Sequence, residues 1–303
     1  MRFVVAGLGV QGHKRIRVAG SSVVATVDPV APGATYASIE QVPVEDYDAA
    51  MLCVPDAVKP AVLEHLVRAG KHVLVEKPLI PPGGLDLYAL EREAVERQVA
   101  VYAAYNHRFE PHLVRVGELL RAGAIGEPHR ASMFYGNGTA CDVRSSPWRD
   151  EGLGVIGDLV PHLLDILEFT TGRPDGTIAV WSAARHENAA PDHFLVGFPD
   201  AQPVVTLEGS LLSWRNTFRM DVLGSEGSVH VDGLCKWGPS TLTRRKRILP
   251  SGKPPEQRWT LEQADPTWAL EHEHFLGLCA NPRTVLERDR WVDEVLLAIE
   301  AAR

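Results

Sequence analysis

The chain has 303 residues, enough for two domains with sizeable cores. Its formal charge is −8, from 31 basic and 39 acidic residues, which argues against a nucleic-acid or polyanion binder. Cys53, Cys141, Cys235 and Cys279 form no CxxC pair, so neither a disulfide framework nor a zinc signature is expected, and reduced thiols in a cytoplasmic protein fit them best.

The chain enters an apolar strand at once, at Arg2–Ala6, which leaves no room for a signal peptide. No apolar run approaches the ~20 residues that span a membrane. The first ~105 residues then alternate β-branched runs with helical patterns, the mark of parallel βαβ units. A helix is expected over Gln11–Ala19, stopped by Gly20, then strands over Val23–Val27 and Ala49–Val54. Pro60–Ala69 reads as a helix closed by Gly70, Val73–Val75 as a strand, 85–98 as an amphipathic helix and Val99–Ala104 as a strand. Beyond residue 105 the character changes. Helices are expected over Pro111–Ala122 and Gly157–Thr170, several strands between Thr177 and Val231, and closing helices near 266–280 and 288–302. Strands flanked by helices predict an α+β domain whose open sheet is mostly antiparallel. The boundaries are thus 1–105 for a doubly wound α/β domain and 106–303 for the α+β domain.

The first strand runs into Gly7-Leu8-Gly9-Val10-Gln11-Gly12 and a helix. In this context, G-x-G-x-x-G predicts a Rossmann dinucleotide site: Gly7 for the tight turn, Gly9 for close approach of a pyrophosphate, Gly12 for helix–strand packing. The helix N-terminus would supply N–H groups and a positive dipole end. A glycine-rich turn without a ligand is the alternative. Asp28 ends the second strand, where an acid binds the adenosine ribose hydroxyls. No basic residue follows in Pro29–Gly33, so NAD is favoured over NADP. Val54, at the end of the third strand, joins the expected cofactor contacts.

The most specific stretch is Gly70-Lys71-His72-Val73-Leu74-Val75-Glu76-Lys77-Pro78, which puts a lysine at the C-terminal end of a parallel strand, where ligands bind in doubly wound sheets. With it stand Tyr105-Asn106-His107-Arg108-Phe109-Glu110-Pro111, Gly123-Ala124-Ile125-Gly126-Glu127-Pro128, Trp148, the segment Gly157–Asp165 and Gly224-Ser225-Glu226-Gly227-Ser228-Val229. In this ordered set the sequence resembles the glucose–fructose oxidoreductase, inositol dehydrogenase and rhizopine catabolism (Gfo/Idh/MocA) family of NAD(P)-dependent sugar and polyol dehydrogenases, over essentially the whole chain. The resemblance implies that Lys77 holds the reacting carbon–oxygen bond, that Glu76 lies near the nicotinamide, and that the peptide before Pro78 is cis. A solvated lysine after a strand is the bland alternative for Lys77. Asp158 and His162, four residues apart, share a helix face. By resemblance His162 is the acid–base group and Asp158 binds substrate or tunes it; a helix-start acid and a core histidine are the alternatives. Asp165, on the same stripe, reads as a helix anchor. Trp148 matches a position near the cofactor amide or is a domain-interface aromatic. By resemblance Asn106 borders the cleft and binds substrate, and Arg108 borders the cleft or is a domain-bridging ion-pair partner.

The resemblance thus implies hydride transfer between NAD and a hydroxyl or keto carbon of a sugar, inositol, amino sugar or nucleotide-sugar, in a cytoplasmic homodimer or homotetramer with no metal. Two alternatives stay open: an NAD-using glycosidase that oxidises transiently, and a non-catalytic cofactor-binding regulator. The chain departs from the family in two places. Twenty residues with Pro29, Pro32, Gly33 and Pro43 replace a crossover helix, which we expect lost or cut to one turn. Pro55-Asp56-Ala57-Val58-Lys59 offers Lys59 where the family often has histidine. Glu271-His272-Glu273-His274 lacks HExxH spacing and reads as a solvated helix; Arg244–Arg247 reads as a solvated strand or loop edge, or as a contact for a phosphorylated substrate.

Overall fold

Four apolar residues, Phe3–Ala6, form the opening strand β1, and all four are buried. A strand buried on both faces belongs in a parallel sheet covered by helices. The computed structural model describes residues 1–303. The chain divides into two compact units, Met1–Asn106 with Thr267–Glu294, and His107–Pro266 with Val295–Arg303.

In the first unit β1 leads through α1 (Val10–Ala19) to β2 (Val23–Val27), then to β3 (Ala49–Leu52), α2 (Lys59–Arg68), β4 (His72–Glu76), α3 (Leu87–Glu96) and β5 (Val101–Ala104). The five strands run parallel in the order β2-β1-β3-β4-β5. Leu63, Leu66, Leu87 and Leu90 from α2 and α3 pack on one core with Val4, Ala50, Leu52 and Val75. Phe3, Met51, Leu74 and Tyr102 point the other way and meet Ala19, Phe275 and Cys279. That second core explains the sequence discontinuity. The sequence reading put one boundary at 105/106, whereas the returning segment Thr267–Glu294 closes the second face of this sheet.

Between β2 and β3 the expected loss of a crossover helix is observed: only two single 3-10 turns remain, Ile39–Gln41 and Val44–Asp46. Tyr36 instead forms a parallel bridge to Val27 at the sheet edge. Its N–H donates to the Thr26 carbonyl at 3.0 Å, and its carbonyl accepts from Asp28 N–H at 3.0 Å.

The second unit opens with α4 (Pro111–Arg121), β6 (Pro128–Gly136), α5 (Ala140–Arg144) and α6 (Val155–Thr171). It continues with β7 (Ala179–Ala184), β8 (His193–Phe198), β9 (Val204–Ser210), β10 (Thr217–Gly224), β11 (Gly227–Asp232), β12 (Ser240–Lys246) and β13 (Glu256–Leu261). Its eight strands are ordered β13-β12-β11-β10-β6-β9-β8-β7. Only the β6–β9 pair is parallel. Helices α4 and α6 pack on the sheet and on each other. The sheet is longer than expected from sequence, because β12 and β13 lie beyond Val231. Their polar and charged residues (STLTRRK and EQRWTL) hide the alternation that marks a strand. Arg244–Lys246 therefore sits in β12, with Arg244 donating to the Ala124 carbonyl and Arg245 paired with Glu256. Two closing helices follow, α7 (Thr267–Ala280) and α8 (Glu287–Ala301).

On β10 and β11, Asp221 contacts His230 Nδ1, and His230 Nε2 lies 2.8 Å from Ser228 Oγ. The arrangement has the parts of a hydrolytic triad, and its three residues lie within the antiparallel pairings of β10, β11 and β12.

Candidate functional site

The glycine turn follows from packing. Gly7 has φ +90°, and a Cβ there would strike the Cys53 carbonyl; a Cβ on Gly12 would strike the Gly7 carbonyl. Gly9, the N-cap of α1, is different: a Cβ there meets nothing within 4 Å. It offers no side-chain cap, and the first turn of α1 carries no acid. Val10 beside it is exposed. The open space beside Gly9 lies over helix N–H groups, the environment that suits a pyrophosphate. Asp28 closes its flank. Asp28 Oδ2 accepts Leu8 N–H at 2.8 Å, and Oδ1 accepts Val30 N–H at 3.0 Å and Ala31 N–H at 2.9 Å. These N–H groups, Leu8 first, hold the Asp28 carboxyl below its usual range. A carboxylate has about four acceptor positions, so one remains on Oδ2 for a ribose hydroxyl. The residues present therefore fit a dinucleotide.

At the C-terminal end of β4, Glu76, Lys77 and Pro78 leave the sheet, and the Lys77–Pro78 peptide is cis, as the resemblance implied. Lys77 is half-buried. Glu76 Oε1 accepts from Arg15 Nε at 2.8 Å. The Arg15 side chain is 2% exposed and reaches Glu271 with another nitrogen at 2.7 Å. Its guanidinium carbon lies 4.4 Å from the Trp268 ring centroid. Glu271 is thus fully buried, which corrects the reading of a solvated helix at that one position, with Arg15 supplying a counter-charge, while Glu273 and His274 are exposed as expected. Lys59 is also buried. Its Nζ donates to the carbonyls of Glu76 at 2.6 Å and Pro78 at 2.7 Å, and pairs with Asp56 at 2.7 Å. Val54 packs against the core on the α2 side, and Asn106 Nδ2 donates to Thr267 Oγ1 at 2.9 Å.

In the second unit α6 presents Asp158 and His162 one turn apart. His162 is nearly buried, its ring 4.2 Å from that of His107. Lys236 Nζ lies 3.0 Å from His107 Nε2 and donates to Tyr135 Oη at 3.1 Å. The ammonium sits 4.5 Å from the Trp237 ring centroid. Burial first, and then the charge of Asp158, push the Tyr135 hydroxyl far above its usual range. The 3-10 turn Cys235–Trp237 that carries Lys236 is fastened by Glu110, which accepts Cys235 N–H at 3.1 Å and Cys235 Sγ–H at 2.9 Å. Asp165 is fully buried and pairs with Arg108, so Arg108 and Asp165 tie α6 to the segment before α4 inside one unit. Trp148 is 60% exposed.

Sequence reasoning missed Arg15, Tyr135 and Lys236, and noted Lys59 only as a departure from the family, with no role. His107 stood inside a quoted motif, but no role was read from it. Arg15 looked like an ordinary polar position of α1, and Lys236 lies in no motif.

The first 105 residues match the oxidoreductase family model with the NAD-binding Rossmann fold, and residues 113–230 match the Gfo/Idh/MocA C-terminal domain. Among curated relatives, inositol 2-dehydrogenase 4 of Saccharopolyspora erythraea is 27% identical over 225 residues, covering 69% of this chain and 63% of its own length. Inositol 2-dehydrogenase of Rhizobium meliloti is 26% identical over 199 residues, 61% and 57% of the two chains. The chain thus spans less than two thirds of either relative. Among solved structures, UDP-N-acetylglucosamine 3-dehydrogenase of Acidithiobacillus ferrooxidans has the same fold, with TM-score 0.78 at 23% identity over 100% of this chain and 97% of that one. Levoglucosan dehydrogenase, solved in complex with NADH, does so with TM-score 0.79 at 16% identity, over 100% and 95%. With its two consecutive domains matched in order, the chain belongs to the Gfo/Idh/MocA family of oxidoreductases with an NAD-binding Rossmann fold.

Proposed function

We propose that the protein is an NAD-dependent dehydrogenase acting on a hydroxyl-bearing carbon of a sugar, inositol, amino sugar or nucleotide-sugar. The observation that carries this reading is the first unit's sheet. It ends in an anion cradle at Gly7–Gly12 and, at the end of β4, in a lysine whose flanking carbonyls are held by a buried ammonium. Gly7, Gly9, Val10, Gln11 and Gly12 would hold the pyrophosphate and Asp28 the ribose. Val54, Glu76 and Trp148 would line the rest of the dinucleotide. When bound, NAD supplies the hydride acceptor.

In this reading Lys77 donates to the substrate oxygen and stabilises its alkoxide character. His162 takes the hydroxyl proton, assisted by Asp158, and Asn106 contributes to substrate binding. A positioned acid–base group of this kind contributes ~10²–10⁴ in rate. Lys236 donates N–H and has no acceptor, so His107 Nε2 accepts that hydrogen bond. NAD is favoured over NADP because Pro29–Thr35 carries no cation beside Asp28. Self-association as a homodimer or homotetramer is part of the reading, as is cytoplasmic residence, which the four free cysteines support. No helix is long and apolar enough to cross a membrane.

The test is a panel of myo-inositol, levoglucosan, glucose, N-acetylglucosamine and UDP-N-acetylglucosamine, followed by reduced-nicotinamide absorbance. NADH should accumulate with at least one of them, and Lys77→Ala should lower turnover by ~10²–10³-fold while NAD still binds. Normal turnover by Lys77→Ala rejects the assignment, and product release without net NADH points instead to transient oxidation in a glycosidase.

A further inference from the structure

Lys59 is an expensive residue in its position. It is 1% exposed. It opens α2, where the helix dipole disfavours a cation. Its charge also lies within the field of Lys77, and burial, the largest influence, pulls its pKa down against the support of Asp56. A buried ammonium is costly to desolvate, and an apolar side chain of the same volume is often as good for stability. What the ammonium provides is a set of three donors, all used: the Glu76 carbonyl at 2.6 Å, the Pro78 carbonyl at 2.7 Å and Asp56 Oδ1 at 2.7 Å. The two carbonyls belong to the residues on either side of Lys77. One rigid group thus grips the backbone before and after the lysine, and both grips are charge-assisted hydrogen bonds, roughly twice as strong as neutral ones.

We propose that Lys59 is a positioning residue for Lys77. Its ammonium clamps the carbonyls of Glu76 and Pro78 and so fixes the direction in which the Lys77 side chain leaves β4. The inference rests on the reading of Lys77 as the ligand of the substrate oxygen. A misplacement of about 1 Å at a reacting group can cost ~10²-fold in rate. Lys59→Met keeps length and volume and removes every donor; Lys59→Gln restores neutral N–H donors.

With the panel compound turned over fastest as the probe, Lys59→Met should lower kcat by ~10²-fold and leave the NAD dissociation constant within about twofold, a change small beside the tenfold that 1.4 kcal/mol represents. Lys59→Gln should recover about tenfold of that loss, one such 1.4 kcal/mol step. In the Lys77→Ala background Lys59→Met should cost nothing further, because the group it positions is gone. A structural role would instead multiply the two losses. Hydrogen–deuterium exchange gives a substrate-free arm: Lys59→Met should speed exchange in peptides covering 76–81 while α1 and α3 stay unchanged. Should Lys59→Met fail to fold, Lys59→Gln carries the same comparisons with a smaller expected loss. A Lys59→Met enzyme within threefold of wild-type kcat, multiplicative losses in the double variant, or unchanged exchange at 76–81 overturns the inference. Normal turnover of Lys77→Ala alone overturns the reading of Lys77 and this inference with it. Loss in Lys77→Ala beside normal Lys59→Met overturns the inference alone.

Discussion

Arg15→Met should be among the most destabilising single changes in the first unit. Arg15 holds Glu76 and Glu271 at once, and the side chains of Arg15 and Glu271 are 2% and 0% exposed. Removing the guanidinium takes the Arg15 charge away from the buried Glu271 carboxylate. Breaking a buried pair from one side costs about 3–5 kcal/mol. The unit comprises about 130 residues, and unfolding entropy of about 2.1 cal/mol/K per residue gives roughly 0.27 kcal/mol/K. The melting transition of that unit should therefore fall by roughly 11–18 °C. Circular dichroism melts at pH 7.5 without dinucleotide read this directly. The deficit should narrow at acid pH, because a stranded carboxylate can relieve its burial by taking a proton. Arg15→Met with Glu271→Leu should regain most of the loss, since both charges and their desolvation then vanish together; Glu76, whose side chain is 15% exposed, still reaches water. A drop below about 3 °C, under 1 kcal/mol on the same scale, would refute the reasoning, and so would a double variant less stable than Arg15→Met.

The glycine turn yields a paired prediction. Gly9→Ala should melt like wild type but bind NAD at least about tenfold more weakly, a 1.4 kcal/mol step, because its Cβ enters empty space in the cradle. Gly12→Ala should lose about 1–3 kcal/mol of stability, because its Cβ strikes the Gly7 carbonyl; isothermal titration and thermal melts separate the two. Cys141 is exposed, whereas burial pushes the thiols of Cys235 and Cys279 up to about 12 and that of Cys53 higher still. Iodoacetamide at pH 8 should therefore add one label to the native chain and four after unfolding, as read by intact mass. Burial raises the Glu110 carboxyl above its usual range, against the opposing Cys235 hydrogen bonds. The folded state then keeps this proton to higher pH than the unfolded chain, so its contribution is full at low pH and is lost as pH rises through the raised value. Glu110→Gln, which cannot ionise, should gain stability relative to wild type between pH 4 and pH 7 in urea titrations.

Most of the fold was legible in the sequence because its signals are local. Buried parallel strands such as Phe3–Ala6 and Ala49–Leu52 show as apolar runs, and helices such as α2 and α4 announce themselves by proline in the first turn. The proline spacing after Asp28 likewise foretold a crossover without a helix, and the chain compensates by bridging Tyr36 to Val27. The misses share a different cause. β12 and β13 are rich in polar and charged residues whose strand character comes from their partners in the ladder, not from their own pattern. The return of Thr267–Glu294 to the first unit depends on Phe275 finding Phe3 and Tyr102, a pairing that no window of sequence contains.

The site divides in the same way. Gly7, Gly9 and Gly12 stood out by the spacing of a short motif, and Lys77, Asp158 and His162 by the resemblance to the family. Arg15 and Lys59 did not, because their roles are fixed by acceptors 61 and 17 to 19 residues away. Lys59 is the more instructive case. The position drew notice only because the family often has histidine there, and the change looked harmless if that residue merely capped a helix. An imidazole has at most two N–H donors fixed in one plane, while an ammonium has three arranged around a point. Two carbonyls flanking one peptide and an acid from the preceding turn form an acceptor set that an ammonium can satisfy completely and an imidazole cannot. The exchange is therefore a change in how the backbone on both sides of Lys77 is held, and it should leave its mark on the rate of the chemical step more than on the affinity for dinucleotide.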